Sequence, residues 1–96
     1  MKYLSTRGQA PVLEFGDVLL AGLASDGGLY VPEEWPDQGE PGTDYLTTAV
    51  QVMAPYVAPT LTSDELAVMV ADAYATFTPP DVCPVRPLGD DGLHLL

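Results

Sequence analysis

Asp26-Gly27-Gly28-Leu29-Tyr30-Val31-Pro32 is the stretch from which the architecture can be worked outward. Gly27 and Gly28 after an aspartate make a turn or a helix stop, because glycine reaches positive φ without steric cost. Leu29, Tyr30 and Val31 carry strand chemistry, and Pro32 ends the run because it has no N–H for a ladder. Read alone, the segment is a turn feeding a short strand. It gains meaning beside Lys2-Tyr3-Leu4-Ser5-Thr6-Arg7-Gly8, where Tyr3, Leu4 and Thr6 indicate a first short strand. Arg7-Gly8-Gln9-Ala10-Pro11 breaks that strand.

Between the two strands, Val12, Leu13 and Phe15 lead into a helix predicted from about Asp17 to Leu23. Gly16 serves as its N-cap, and Asp17 in the first turn suits the helix dipole. Phe15 and Leu20 have the spacing of a hydrophobic staple. Phe15, Val18, Leu19 and Gly22 share one face, with Leu20 and Leu23 beside it, and Gly27 is the natural stop. The opening is thus a β-α-β unit.

Glu33 to Gly42 is a polar, Pro- and Gly-rich loop interrupted by Trp35, which is expected to cover the edge of the core; ligand stacking is its other reading. From Asp44 the pattern turns helical. Leu46, Ala49, Val50, Met53 and Val57 recur at helical spacing, and Pro55 is expected to kink or end that helix near Ala54. Thr62-Ser63-Asp64-Glu65 then fits a capping box. Leu66, Met69, Val70, Ala73, Tyr74 and Phe77 keep the spacing over a helix from about Ser63 to Thr76, stopped before Pro79-Pro80. The two helices, joined by Pro55–Leu61, are expected to pair antiparallel across their apolar faces. Val82, Val85 and Leu88 lead to Gly89-Asp90-Asp91-Gly92, a hairpin turn, and on to the strand Leu93-His94-Leu95-Leu96. That apolar ending looks cut rather than finished. The fold class is therefore α+β and helix-rich, with about three helices and short strands in the order β-α-β-α-α-β-β.

Ninety-six residues suffice for one domain, here 1–96, and 47% hydrophobic content is enough for a core. No apolar run approaches the roughly 20 residues of a membrane span. Lys2 is followed by polar Ser5-Thr6-Arg7 rather than an apolar signal-peptide core, so a cytoplasmic protein is expected. The net charge is −11, from three basic and fourteen acidic residues. That balance excludes nucleic acids and anionic membrane surfaces as partners. Its distribution is uneven. Residues 1–32 set Lys2 and Arg7 against Glu14, Asp17 and Asp26, a net of −1; residues 33–96 set Arg86 alone against eleven acids, a net of −10. A contact with an anionic small molecule belongs in the first third, whereas the remaining acids suit a solvated surface.

Self-sufficient catalytic chemistry is missing. Cys83 is the only cysteine, and Asp81, Val82 and Pro84 around it supply no cation or base to activate a thiol. With His94 as the only histidine, no ordinary zinc site can form, and the carboxylates lack calcium-loop spacing. There is no G-x-G-x-x-G, P-loop or Gly-x-Ser-x-Gly.

Three stretches in register, Lys2–Gly8, Phe15–Leu23 and Asp26–Pro32, together resemble the opening of threonine synthase. Ala73-Tyr74-Ala75-Thr76-Phe77 is similar to the end of the last helix of that family's N-terminal domain. Leu93–Leu96 resembles the strand just before its active-site stretch. The resemblance implies the N-terminal part of an α/β enzyme of the tryptophan-synthase-β-like class (fold type II). Such enzymes use pyridoxal phosphate as an electron sink, here to turn O-phospho-L-homoserine and water into L-threonine and phosphate. The family's Schiff-base lysine lies in a Phe-Lys-Asp motif that this sequence does not contain. Lys2, the only lysine, has no match to that role.

It follows from the resemblance that this chain is the N-terminal domain without its catalytic lysine region, inactive by itself, with no cofactor of its own. Its partner is the remainder of a threonine synthase chain. Thr6 and Arg7 are the candidates for lying near the phosphate-bearing substrate, with pairing of Arg7 to an acid of this domain as the competing role. The Gly27-Gly28 turn either only stops a helix or also admits a close approach. Two further readings stand beside this one: a free-standing acidic interaction module whose helix pair docks on a basic partner, and a small enzyme in its own right.

Overall fold

Tyr3 and Ser5 point inward from the first strand while Lys2 and Leu4 point out, the alternation of a half-buried strand. In the computed structural model, which describes residues 1–77 and 82–96, this strand, β1 (Lys2–Ser5), is the centre of a three-stranded antiparallel sheet. β2 (Leu13–Glu14) lies on one side and β3 (Tyr30–Pro32) on the other. The sequence reading has no β2; two residues are too few to leave a periodic signal. Pro32 is the last residue of β3 rather than a residue beyond it. Opposite Tyr3, it lies between the bonding positions where Glu33 N–H donates to Lys2 O (3.0 Å) and Thr6 N–H to Leu29 O (2.8 Å). On an edge strand at that register, its missing N–H removes no ladder bond.

α1 (Phe15–Ala21) starts two residues earlier and ends two earlier than the sequence predicts. Glu14, not Gly16, occupies the N-cap, without a side-chain bond, while Gly16 N–H donates to Thr60 Oγ1 at 3.2 Å. The stop is Gly22 (φ 69°), the first residue able to turn left-handed, rather than Gly27. Nor does the staple form, since Phe15 is already helical and Leu20 is 88% exposed.

α2 (Tyr45–Val57) is capped by Asp44, whose carboxylate accepts from Thr47 N–H at 3.0 Å. Pro55 neither ends nor shortens it. Only one intrahelical bond is forfeited that close to the C-terminus, and Ala58 N–H still donates to Ala54 O at 3.1 Å. Val57 is therefore helical and buried. α3 (Ser63–Tyr74) opens on the predicted capping box: Glu65 N–H donates to Thr62 Oγ1, and Thr62 N–H donates back to Glu65 Oε2 at 2.9 Å. It ends before Thr76; the Pro79-Pro80 stop lies outside the described residues.

Val57, Leu66 and Val70 form the core where α2 meets α3, with Phe15, Met53, Leu61 and Tyr74 packed against them. Phe15 also tilts onto Tyr3 (centroids 6.4 Å), and Tyr3 Oη donates to Tyr56 O at 2.9 Å, so the sheet is fastened to the helix pair. Trp35 does not cover that core. It is 78% exposed and stacks edge-to-face with Tyr56 (centroids 6.5 Å). β4 (Arg86–Leu88) and β5 (Leu93–Leu95) pair as the expected hairpin around Gly89 and Gly92, both at positive φ. No helix among the described residues is long and apolar enough to cross a membrane.

Candidate functional site

The end of β1 and the turn before β3 are brought together by one carboxylate. Asp26 accepts from the Ser5 hydroxyl on both oxygens (2.8 Å each), from Gly28 N–H on Oδ1 (2.9 Å), and from Gln9 and Ala10 N–H on Oδ2 (2.9 Å each). The bond to Gly28 is an Asx turn, which an Asp before two glycines favours. Partial desolvation pushes this carboxyl up, but the bonds from Gly28, Ser5, Gln9 and Ala10 outweigh it and hold the group down at about 2. Asp26 is a constitutive anion that organises its surroundings.

Thr6 and Arg7 stand on that platform. Thr6 Oγ1 accepts from Leu29 N–H at 3.0 Å, leaving its own hydrogen free to donate outward. Arg7 N–H donates to Ser5 Oγ (3.1 Å) and Arg7 Nη1 to Asp26 O (3.1 Å). The guanidinium is therefore anchored on a backbone carbonyl, while the Asp26 carboxylate is engaged by other donors. Both side chains are exposed. The guanidinium lies over Gly27, where a Cβ would come within 3.0 Å of Nη1. The arrangement offers a positioned cation beside a hydroxyl, suited to orienting an anion, and holds no nucleophile or general base. The sequence names Thr6 and Arg7 as candidates but does not reveal Asp26 and Ser5 as their support. The Asp-Gly-Gly order was the available signal for the turn; nothing local tells which donors come back to it.

The pH response of this platform has a definite sign. The Asp26 pKa is lowered from 3.8 to about 2, so its contribution to stability is complete above about pH 4 and lost as pH falls towards 2. Thermal unfolding followed between pH 5 and 2 is expected to show this loss in the natural chain. Asp26→Asn is expected to be less stable at pH 6 and to lack that step; an unchanged acid profile in the variant would contradict the assignment.

A second concavity, of about 750 Å³, is bordered by Tyr45, Tyr74 and Cys83, with Cys83 Sγ donating to Tyr45 Oη at 3.3 Å. Asp44 is its one charged lining residue among those described, so it repels rather than collects anions. His94 is exposed, with Nδ1 3.1 Å from Gly92 O. Among the described residues, no group of three or more His, Cys, Asp or Glu is placed to hold a metal.

The platform residues fall inside a stretch that is characteristic of one family: the sequence model of the threonine synthase N terminus matches residues 2–74. The chain belongs to the threonine synthase N-terminus family. It is similar to the threonine synthase of Pseudomonas aeruginosa, 46% identical over 94 residues, which are 92% of this chain and 20% of that one. It is also similar to the Methylobacillus glycogenes threonine synthase, 39% identical over 111 residues, covering 100% of this chain and 23% of that one. The crystal structure of PLP-bound threonine synthase from Brucella melitensis superposes with a TM-score of 0.83 at 44% identity, covering 91% of this chain and 20% of that one. The chain thus spans about a fifth of the length of the threonine synthases it matches.

Proposed function

We propose that this chain acts as the N-terminal portion of a threonine synthase, the enzyme that converts O-phospho-L-homoserine and water into L-threonine and phosphate. The observation that carries the reading is the family match over residues 2–74, supported by the backbone agreement with a PLP-bound threonine synthase. The residues present do not fit a pyridoxal-phosphate site of their own. Lys2 is the only lysine; it lies exposed on β1 opposite Glu14 and does not line the concavity beside Tyr45 and Tyr74. Schiff-base chemistry therefore belongs to the other four-fifths of such an enzyme, which holds the cofactor and its lysine. The role of this chain is to pack against that part and to present Thr6 and Arg7, with Arg7 Nη2 and the Thr6 hydroxyl available to a phosphate.

The test compares this chain alone with the same chain joined to the portion of the P. aeruginosa enzyme beyond the matched residues. Threonine and phosphate release from O-phospho-L-homoserine with pyridoxal phosphate is expected from the joined protein and not from the chain alone. Turnover by the 96 residues alone would place catalysis here after all. A folded joined protein with neither activity nor an internal aldimine absorbance band would end the proposal.

A further inference from the structure

The 96 residues expose 7044 Å². A compact monomer of 10.2 kDa exposes about 5,300 Å². The radius of gyration, 16.9 Å, likewise exceeds the roughly 13 Å of a compact domain of this length. The difference in area is about twice what one partner contributes to a standard interface. Much of what is left uncovered is apolar, and in one part of it several leucines lie together.

That part is α1 and the turn after it. Asp17 is the only charged residue of α1, and the helix is apolar on more than one side, the character of a helix enclosed by protein. Phe15 faces the core, yet Leu19 is 68% and Leu20 88% exposed. Leu23 and Leu29, also exposed, flank the turn that Ala24 N–H closes by donating to Gly28 O at 3.1 Å. By contrast, exposed Val68 of α3 shares its face with Asp64 and Asp72, one turn to either side, as a solvated surface requires. Interface centres are depleted of charge, and from Val18 to Ala24 the sequence carries none.

We infer that the leucine face of α1 and its following turn, centred on Leu20, is the surface on which this chain packs against the remainder of a threonine synthase polypeptide. The inference rests on the proposed function for the identity of that partner. The relatives are about five times as long as this chain, so a large body of protein is there to cover the face. Because Leu29 exchanges bonds with Thr6 through both its N–H and its C=O, packing here brings Thr6 and Arg7 to the border of the cofactor-bearing part.

Hydrogen exchange on the chain alone and on the joined protein tests this without mutation. Amides of residues 17–29 are expected to exchange at least about tenfold more slowly in the joined protein. Leu20→Asp is expected to lower the joined protein's unfolding midpoint by about 5 °C and the chain's own by only about 2 °C, the cost of a second acid one turn from Asp17. Val68→Lys, which puts no like charge on the face shared with Asp64 and Asp72, is expected to change neither. Equal exchange in both proteins, or an active joined protein indifferent to Leu20→Asp, would overturn the surface and leave the enzyme reading intact. Dimerisation of the chain alone, reversed by Leu20→Asp, would overturn it by assigning the face to a second copy. Slowed exchange at α1 in a folded joined protein that makes no threonine would support the surface while the enzyme reading fails.

Discussion

A chain carrying Leu66→Ala is expected to lose about 2–5 kcal/mol of stability, the range for a buried leucine truncated in place. The reason for so large an effect is how little else is buried. Leu66 is 6% exposed and sits with Val57 and Val70 where α2, α3 and Phe15 of α1 meet. Small domains hold about 5 kcal/mol in total, so this one truncation removes a large share of the folded population. Urea unfolding followed by far-UV circular dichroism measures it. Met69→Ala, on the same helix but 52% exposed, is the comparison and is expected to cost far less. A Leu66→Ala loss below about 1 kcal/mol would mean that the helix pair is not what holds the chain together.

Gly28→Ala is expected to be the most damaging change at the candidate site. A Cβ there would stand 2.5 Å from Ser5 Oγ and 3.0 Å from both Asp26 Oδ1 and Thr6 Oγ1. These are short side chains already committed to each other, so they cannot swing away as the end of a lysine could. Moving Ser5 Oγ surrenders its bonds to Asp26 and from Arg7 N–H together. Overpacking of this kind costs roughly 1–3 kcal/mol. Beyond stability, the variant is expected to raise the Asp26 pKa back towards 3.8 by loosening the donors that lower it. The carboxyl titration followed by NMR would report this directly. A stable Gly28→Ala chain whose Asp26 still titrates near pH 2 would show that the turn tolerates the methyl group and that its glycine serves another end. In the joined protein, the same change is expected to weaken use of the phosphate-bearing substrate through misplaced Thr6 and Arg7.

The parts of the fold legible in the sequence are those whose causes are local. Thr62 and Glu65 cap each other within one turn, and Asp44 caps α2 through Thr47 three residues on, so both helix starts can be read directly. The hairpin at 89–92 is likewise written in its glycines. The misreadings concern α1, Trp35 and Pro55. A seven-residue helix is too short for periodicity to locate its ends, and which of Gly16, Gly22 and Gly27 does the capping is decided by where the sheet delivers and collects the chain. Trp35 is expected at the edge of the core because it is a large apolar residue in a polar loop, yet it is 78% exposed.

The candidate site divides the same way. The sequence by itself determined the family, through three short stretches in register, and with it Thr6 and Arg7 as residues of interest. It also showed that Lys2 is the one lysine and that no Phe-Lys-Asp motif surrounds it, since residue identities need no geometry. Only the tertiary structure decided that Asp26 is the hub, because its donors Ser5, Gln9 and Ala10 come from 16 to 21 residues away and meet it only once β1 and β3 are paired. It also decided that Leu19, on the apolar face of α1, and Leu20 beside that face both lie exposed. Periodicity marks the positions that want cover; which of them this chain can cover depends on how much protein it has to fold over them.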